Sequence, residues 1–353
     1  MDLTEEFQKI VREHAVRYPL MQPRDFGKLA YQSEFGPEHL IADREQVLPG
    51  ILKEWETIRA GGKNSAPENI GNGLFRFPLT GEYRPEKAAP LLAELLFRTA
   101  QSVCGTETGM ERRLETLRAF PVPGMEPWLA EYRRSGCPPV SHSETFRQTY
   151  HPHYRLLHAE FACFFPALLA VSGLVETGRP AFVAIDGRCG SGKTGLAALI
   201  AALFPCNILH TDDFYLPMDR RPENWEKLPA GNMDLSRFLK EALLPAKRGG
   251  TVLYRPYDCS TGTYREEIML SPKLLTVAEG SYSLHPDLAD QYDMKLFLTC
   301  SPEEQMRRIR AREGAYAEVF RTRWIPMEER YYLAFGIGQG CTMTIDTGRF
   351  FRG

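Results

Sequence analysis

The feature that most constrains this chain is a short turn set between an apolar run and a helix-forming run. "AFVAIDGRCGSGKTGLA" (181–197) carries Phe182, Val183, Ala184 and Ile185, then Asp186, then a glycine-rich turn that leads into a helical stretch. Gly187, Gly192, Lys193 and Thr194 fit the G-x-x-x-x-G-K-[ST] spacing of a Walker A loop, in the strand-turn-helix setting that the motif requires. Glycines let successive backbone N–H groups turn inward and form a nest for phosphate oxygens, and the following helix adds its positive N-terminal end. Gly187, Arg188, Cys189, Gly190, Ser191, Gly192, Lys193, Thr194 and Gly195 are therefore expected to hold ATP. Lys193 is expected to reach the β- and γ-phosphates and the Thr194 hydroxyl to ligate Mg²⁺.

Around this turn the chain changes rhythm. Residues 1–176 read as an all-helical domain of unassigned role: "LTEEFQKIVREHAVRY" puts Phe7, Ile10, Val11 and His14 on one face. "PEKAAPLLAELLFRTAQSV" and "MERRLETLRAF" repeat the amphipathic pattern. Pro49 is expected to kink or split the helix that begins near Pro37. Ser141 with Glu144 has capping-box spacing ahead of Phe146 and Tyr150. "GNGLFRF" and "YQSEFGPEHLI" read as turns that position aromatics. From 177 to 353, "AFVAID", "CNILHTD", "KLLTVAEG", "MKLFLTC" and "CTMTID" alternate with helical segments. Continuous apolar strands between helices predict an α/β domain built on a doubly wound parallel sheet.

In such a sheet ligands gather beyond the carboxyl ends of the strands. "NILHTDDFYLP" places Asp212 and Asp213 there, where one could take the proton of an attacking hydroxyl and the other be solvated or capping. Asp212 is the expected base. Glu279, ending "LLTVAE", is a candidate for holding Mg²⁺ or an acceptor hydroxyl. On "EEQMRRIRARE", Arg308 and Arg312 share a face at i, i+4 and could stabilise charge on a transferring phosphoryl group; a solvated basic helix is the plainer alternative.

Taken together, "IDGRCGSGKT", "DDFY", "YRPYDCSTGTYRE", "VAEGSYSL" and "RRIRARE", in this order over about 180–335, resemble the uridine kinase family and its phosphoribulokinase relatives. The resemblance implies a general base at Asp212, an aromatic acceptor contact at Tyr215, acceptor contacts at Tyr257 and Asp258, and an acidic site residue at Glu279. It also implies an ATP-dependent transfer to a hydroxyl of a small metabolite, a nucleoside first and a pantothenate-like or sugar-phosphate metabolite next. The chain departs from the pattern in two places. No histidine follows Tyr257-Asp258, and Ile309 stands where a paired lid arginine is usual. A rival reading is an ATP-binding regulatory protein in which this half only senses nucleotide.

The remaining composition excludes more than it assigns. A net charge of -2 gives no reason to expect nucleic-acid binding. "FACFFPALLAVSGLV" (161–175) falls short of the ~20 residues that span a bilayer and reads as a buried helix. The eight cysteines form no C-x-x-C pair, which suits a reducing cytoplasm. Five of the eight histidines, His39, His142, His151, His153 and His158, fall between 39 and 158 without metal-ligand spacing and are expected to pack or face solvent. A homo-oligomer is left open.

Overall fold

The computed structural model describes residues 3–37, 41, 44–58 and 66–351; His39 lies outside them. The chain forms two compact units that divide between Cys163 and Phe164, ahead of the boundary near 176 read from the sequence.

The first unit is helical in bulk. Its first helix, Leu3–Arg17, buries Phe7, Ile10, Val11 and His14, the face read from the spacing. Pro49 does not split its helix: Arg44–Glu56 runs through it, with Val47, Ile51 and Trp55 buried. One missing backbone donor is outweighed there by a continuous apolar face. The unit also carries a sheet that the helical reading did not include. Strands β1 (Glu68–Gly71), β2 (Leu74–Pro78) and β3 (Tyr154–His158) pair antiparallel in that order. "GNGLFRF" is thus a hairpin, turned by Asn72 and Gly73 at φ 55° and 67°. Asn-Gly tolerates these left-handed angles, which match strand twist. The helix Glu144–Tyr150 is capped by Ser143, whose hydroxyl accepts from the Phe146 N–H, and not by Ser141.

The second unit carries β4 (Ala181–Gly187), β5 (Cys206–His210), β6 (Val252–Tyr254), β7 (Tyr257–Asp258), β8 (Thr263–Tyr264), β9 (Ile268–Leu270), β10 (Leu275–Glu279), β11 (Met294–Thr299) and β12 (Met343–Asp346). Five of them make a parallel sheet in the order β12-β11-β4-β10-β5, while β6 pairs with β9 and β7 with β8 as antiparallel ribbons. All seven residues of β4 and all five of β10 are buried, which explains their unbroken apolar runs. Glu279 stands opposite Ile185 on one side and His210 on the other. This register sets the ends of β4, β10 and β5 side by side, so the glycine-rich loop, Glu279 and the residues after His210 emerge at one edge.

The helix Ala159–Glu176 is long and apolar enough to cross a membrane by length and composition, and half of it is buried within the protein. The shorter stretch read from the sequence underestimated its length.

Candidate active site

The loop after β4 is shaped by backbone that only glycine adopts easily. Gly187 has φ +140°, and a Cβ there would lie 2.1 Å from the Leu298 carbonyl oxygen on β11. Gly190 and Gly192 have φ +75° and +99°, and Gly192 caps the helix Lys193–Leu203. Lys193 Nζ donates to the carbonyls of Gly187 (2.6 Å) and Arg188 (3.2 Å).

A cavity of about 710 Å³ opens over this loop. Cys189, Gly190, Gly192, Lys193, Thr194 and Gly195 line it; Gly187, Arg188 and Ser191 do not. The Arg188 side chain turns to Glu329 (2.8 Å) and the Thr299 hydroxyl (2.7 Å), while Ser191 is fully buried and its carbonyl accepts from Thr347. These three hold the loop together from behind.

Asp212 faces the same cavity from the 3-10 turn Thr211–Phe214 that follows β5. Its Oδ1 accepts from the Tyr215 hydroxyl at 2.9 Å. The carboxylate is open to solvent through the cavity yet ringed by protein. That burial pushes its carboxyl above the ordinary range, against the pull of Lys193 and the Tyr215 hydrogen bond. Asp213, the next residue on the turn, faces away from the cavity and is neither solvated nor a cap. It is buried, accepting from Tyr254 (3.0 Å) and Arg265 (2.9 Å), and so ties the β6–β9 region to the turn.

Glu279 closes the floor. The Thr194 hydroxyl donates to it at 3.2 Å, and His210 Nδ1 lies 2.6 Å from its other oxygen. That hydrogen bond raises the imidazole pKa. Thr194 and Glu279 offer an alcohol and a carboxylate, the hard oxygen donors that Mg²⁺ prefers when phosphates and water complete its shell. The donor set fits the ion.

Among the remaining expected residues, Tyr215 and Tyr257 line the cavity, and Asp258 does not. The Asp258 carboxylate accepts from the Ser260 N–H (2.8 Å) and hydroxyl (2.6 Å), which shape the β7–β8 turn. Arg308 and Arg312, on the helix Pro302–Glu313, both line the cavity. Arg308 is held by Glu304 (2.7 Å), the Gly190 carbonyl (3.1 Å) and Thr347 (2.8 Å). Arg312 is more exposed and pairs with Glu313 at 2.7 Å.

Sequence reasoning missed several cavity residues. Glu328 accepts from the Cys189 N–H (2.9 Å) and the Ser281 hydroxyl (2.6 Å). Arg323 and Trp324 enter from a π-helical stretch, Phe320–Trp324, and Arg221 and Trp225 from the opposite loop. None belongs to a motif with fixed spacing; only the fold brings them in. Behind the loop, fully buried Asp186 accepts from the N–H groups of Gly187 (2.7 Å) and Leu284 (2.9 Å) and from the Tyr331 hydroxyl (2.8 Å). Burial raises its pKa to about 6.

No family model and no curated protein matches the chain. About half of it is similar to solved structures of kinase-like fold. A possible uridine kinase from Bacillus stearothermophilus is 19% identical, with 53% of this chain and 97% of that chain covered, at a TM-score of 0.41. A protein provisionally described as a fructose transport system kinase from Silicibacter sp. TM1040 is 22% identical, with 47% and 94% covered, at a TM-score of 0.39.

Proposed function

We propose that the protein is an ATP-dependent kinase that transfers the γ-phosphoryl group to a hydroxyl of a small metabolite. The observation that carries this reading is the position of Asp212. It faces one cavity together with Lys193 and Thr194, has a single protein donor among the described residues, and sits in surroundings that raise its proton affinity. Backbone amides of the glycine loop and Lys193 would hold the triphosphate, and Arg308 and Arg312 would balance charge on the transferring group. Thr194 and Glu279 would hold Mg²⁺, which would supply neutralising charge to the phosphates. Asp212 takes the acceptor's proton as the new O–P bond forms; the bridging P–O bond breaks and ADP leaves. Tyr215 fixes the carboxylate's orientation, and Tyr257 gives the acceptor an aromatic wall.

The test is acceptor-dependent ADP release from Mg·ATP, with nucleosides heading the panel because of the family resemblance. Asp212→Asn should lose turnover and keep nucleotide affinity, because the base acts on the acceptor. Lys193→Ala should weaken both. Turnover unaffected by Asp212→Asn would remove the base from the scheme.

A further inference from the structure

The cavity's four arginines are not equivalent. Arg308 pairs with Glu304 (2.7 Å), Arg312 with Glu313 (2.7 Å) and Arg323 with Glu226 (2.8 Å). Arg221 has no carboxylate partner among the described residues. Its Nε donates to the Leu216 carbonyl (2.9 Å), its Nη2 approaches Cys259 Sγ (3.9 Å), and Nη1 has no hydrogen-bond partner among the described residues. The guanidinium lies over the Trp225 ring, 4.6 Å from its centroid. Held over an indole and anchored at Nε, it keeps N–H groups free to donate in the cavity, and a guanidinium so placed suits a planar or tetrahedral oxyanion.

Its anchors place this edge on the acceptor side. Leu216 directly follows Tyr215, which holds Asp212, and Cys259 is two residues from Tyr257. The loop that would carry the nucleotide's phosphates has its own arginine, Arg308, fixed to Gly190. A neutral acceptor would leave Arg221 the one cavity arginine without a paired carboxylate among the described residues, at a desolvation cost once the site closed. Lys193 is the other cavity cation outside any carboxylate pair among the described residues, and its counter-charge would be the triphosphate.

We infer that Arg221 reads an anionic group on the acceptor, so that the substrate is a hydroxyl metabolite bearing a carboxylate or phosphomonoester. This rests on the kinase reading above and specifies its substrate class. The two anion sources share the same chemistry at Arg221 and are separated by experiment.

The experiment uses the full chain with a non-hydrolysable ATP analogue and Mg²⁺ in place. Ribose 5-phosphate, glycerate and pantothenate are titrated beside ribose, glycerol, pantothenol and uridine, with binding followed by calorimetry; turnover is measured in parallel with ATP. At least one acid should bind ten-fold or more tightly than its neutral counterpart, and the phosphate and carboxylate arms identify which. Arg221→Gln should lower that affinity roughly ten- to a hundred-fold, the size expected for a charge-assisted hydrogen-bond pair, and leave the KM for ATP unchanged. Arg221→Lys should recover part of it. Three results overturn the inference: no saturable binding of any acid, uridine or another neutral probe preferred over every acid, or Arg221→Gln raising the KM for ATP in place of the acceptor's. Failure of the kinase reading looks different: an acid that binds through Arg221 but yields no acceptor-dependent ADP.

Discussion

Asp25 in the first unit and Asp212 in the second are both carboxylates surrounded by protein, but one is sealed in and the other is open to a cavity. Asp25 is wholly buried, and four donors use up its oxygens: Gln22 N–H (2.9 Å), Ser143 N–H (2.9 Å), Ser143 hydroxyl (2.7 Å) and His142 Nδ1 (3.0 Å). Burial alone would push its carboxyl up, but these donors outweigh it and the pKa falls. Asp212 accepts from one protein group, keeps lone pairs turned to a cavity, and its pKa rises. A carboxylate saturated by its own fold stabilises that fold. One left with spare capacity beside a phosphate-shaped loop is available to a substrate.

The contrast breaks most visibly at Asp212. Asn there should cut kcat by about 10²- to 10⁴-fold, the usual worth of a general base, with Tm moved by no more than about 2 °C. A comparable loss of stability would make Asp212 a structural residue like Asp25. Asp25→Ala should do the reverse, costing about 3 kcal/mol in urea denaturation by leaving buried donors of Ser143 and His142 unmatched. Activity per folded molecule should stay the same.

The sharpest comparison is in pH. Burial lowers the pKa of His14 and of His142 to about 4, so in the first unit stability is lost as pH falls from 6.5 towards 4. In the second unit Asp186 is raised to about 6, so its contribution is full below 4 and is lost as pH rises through 6. Each group is worth up to about 3 kcal/mol across its window. Hydrogen exchange resolved along the chain should therefore show protection rising with pH in the first unit and falling in the second between pH 4 and 6. Parallel slopes would refute the assignment of these groups. In activity, the acid limb of kcat/KM should sit above the ordinary aspartate range, since Asp212 must be unprotonated to act.

How much of this was legible beforehand follows the range of the interactions involved. The five strands of the parallel sheet and the loop after β4 are encoded locally, in continuous apolar runs and a fixed glycine-lysine spacing, and they stand where those runs placed them. The β1–β2 hairpin is also locally encoded, by Asn72-Gly73 beside the apolar run that follows it, although the dipeptide alone reads as a plain turn. Ser143 displaced Ser141 as a cap because Asp25, more than a hundred residues away, holds its N–H and hydroxyl. Asp212 and Asp213 look alike in sequence; they follow one another on a 3-10 turn, and which one meets the loop depends on Tyr254 and Arg265, which hold Asp213. Arg221, Arg323 and Glu328 carry no pattern at all, because they arrive from separate elements.

The Asp186 junction has a consequence for how the protein could work. Its carboxylate clips the base of the glycine loop to Tyr331, in the middle of the helix Ile325–Phe335. That helix therefore shares one buried anchor with the glycine loop, so a change that loosens Asp186 should loosen both. The π-helical stretch Phe320–Trp324, which carries Arg323 and Trp324 into the cavity, precedes that anchor on the chain.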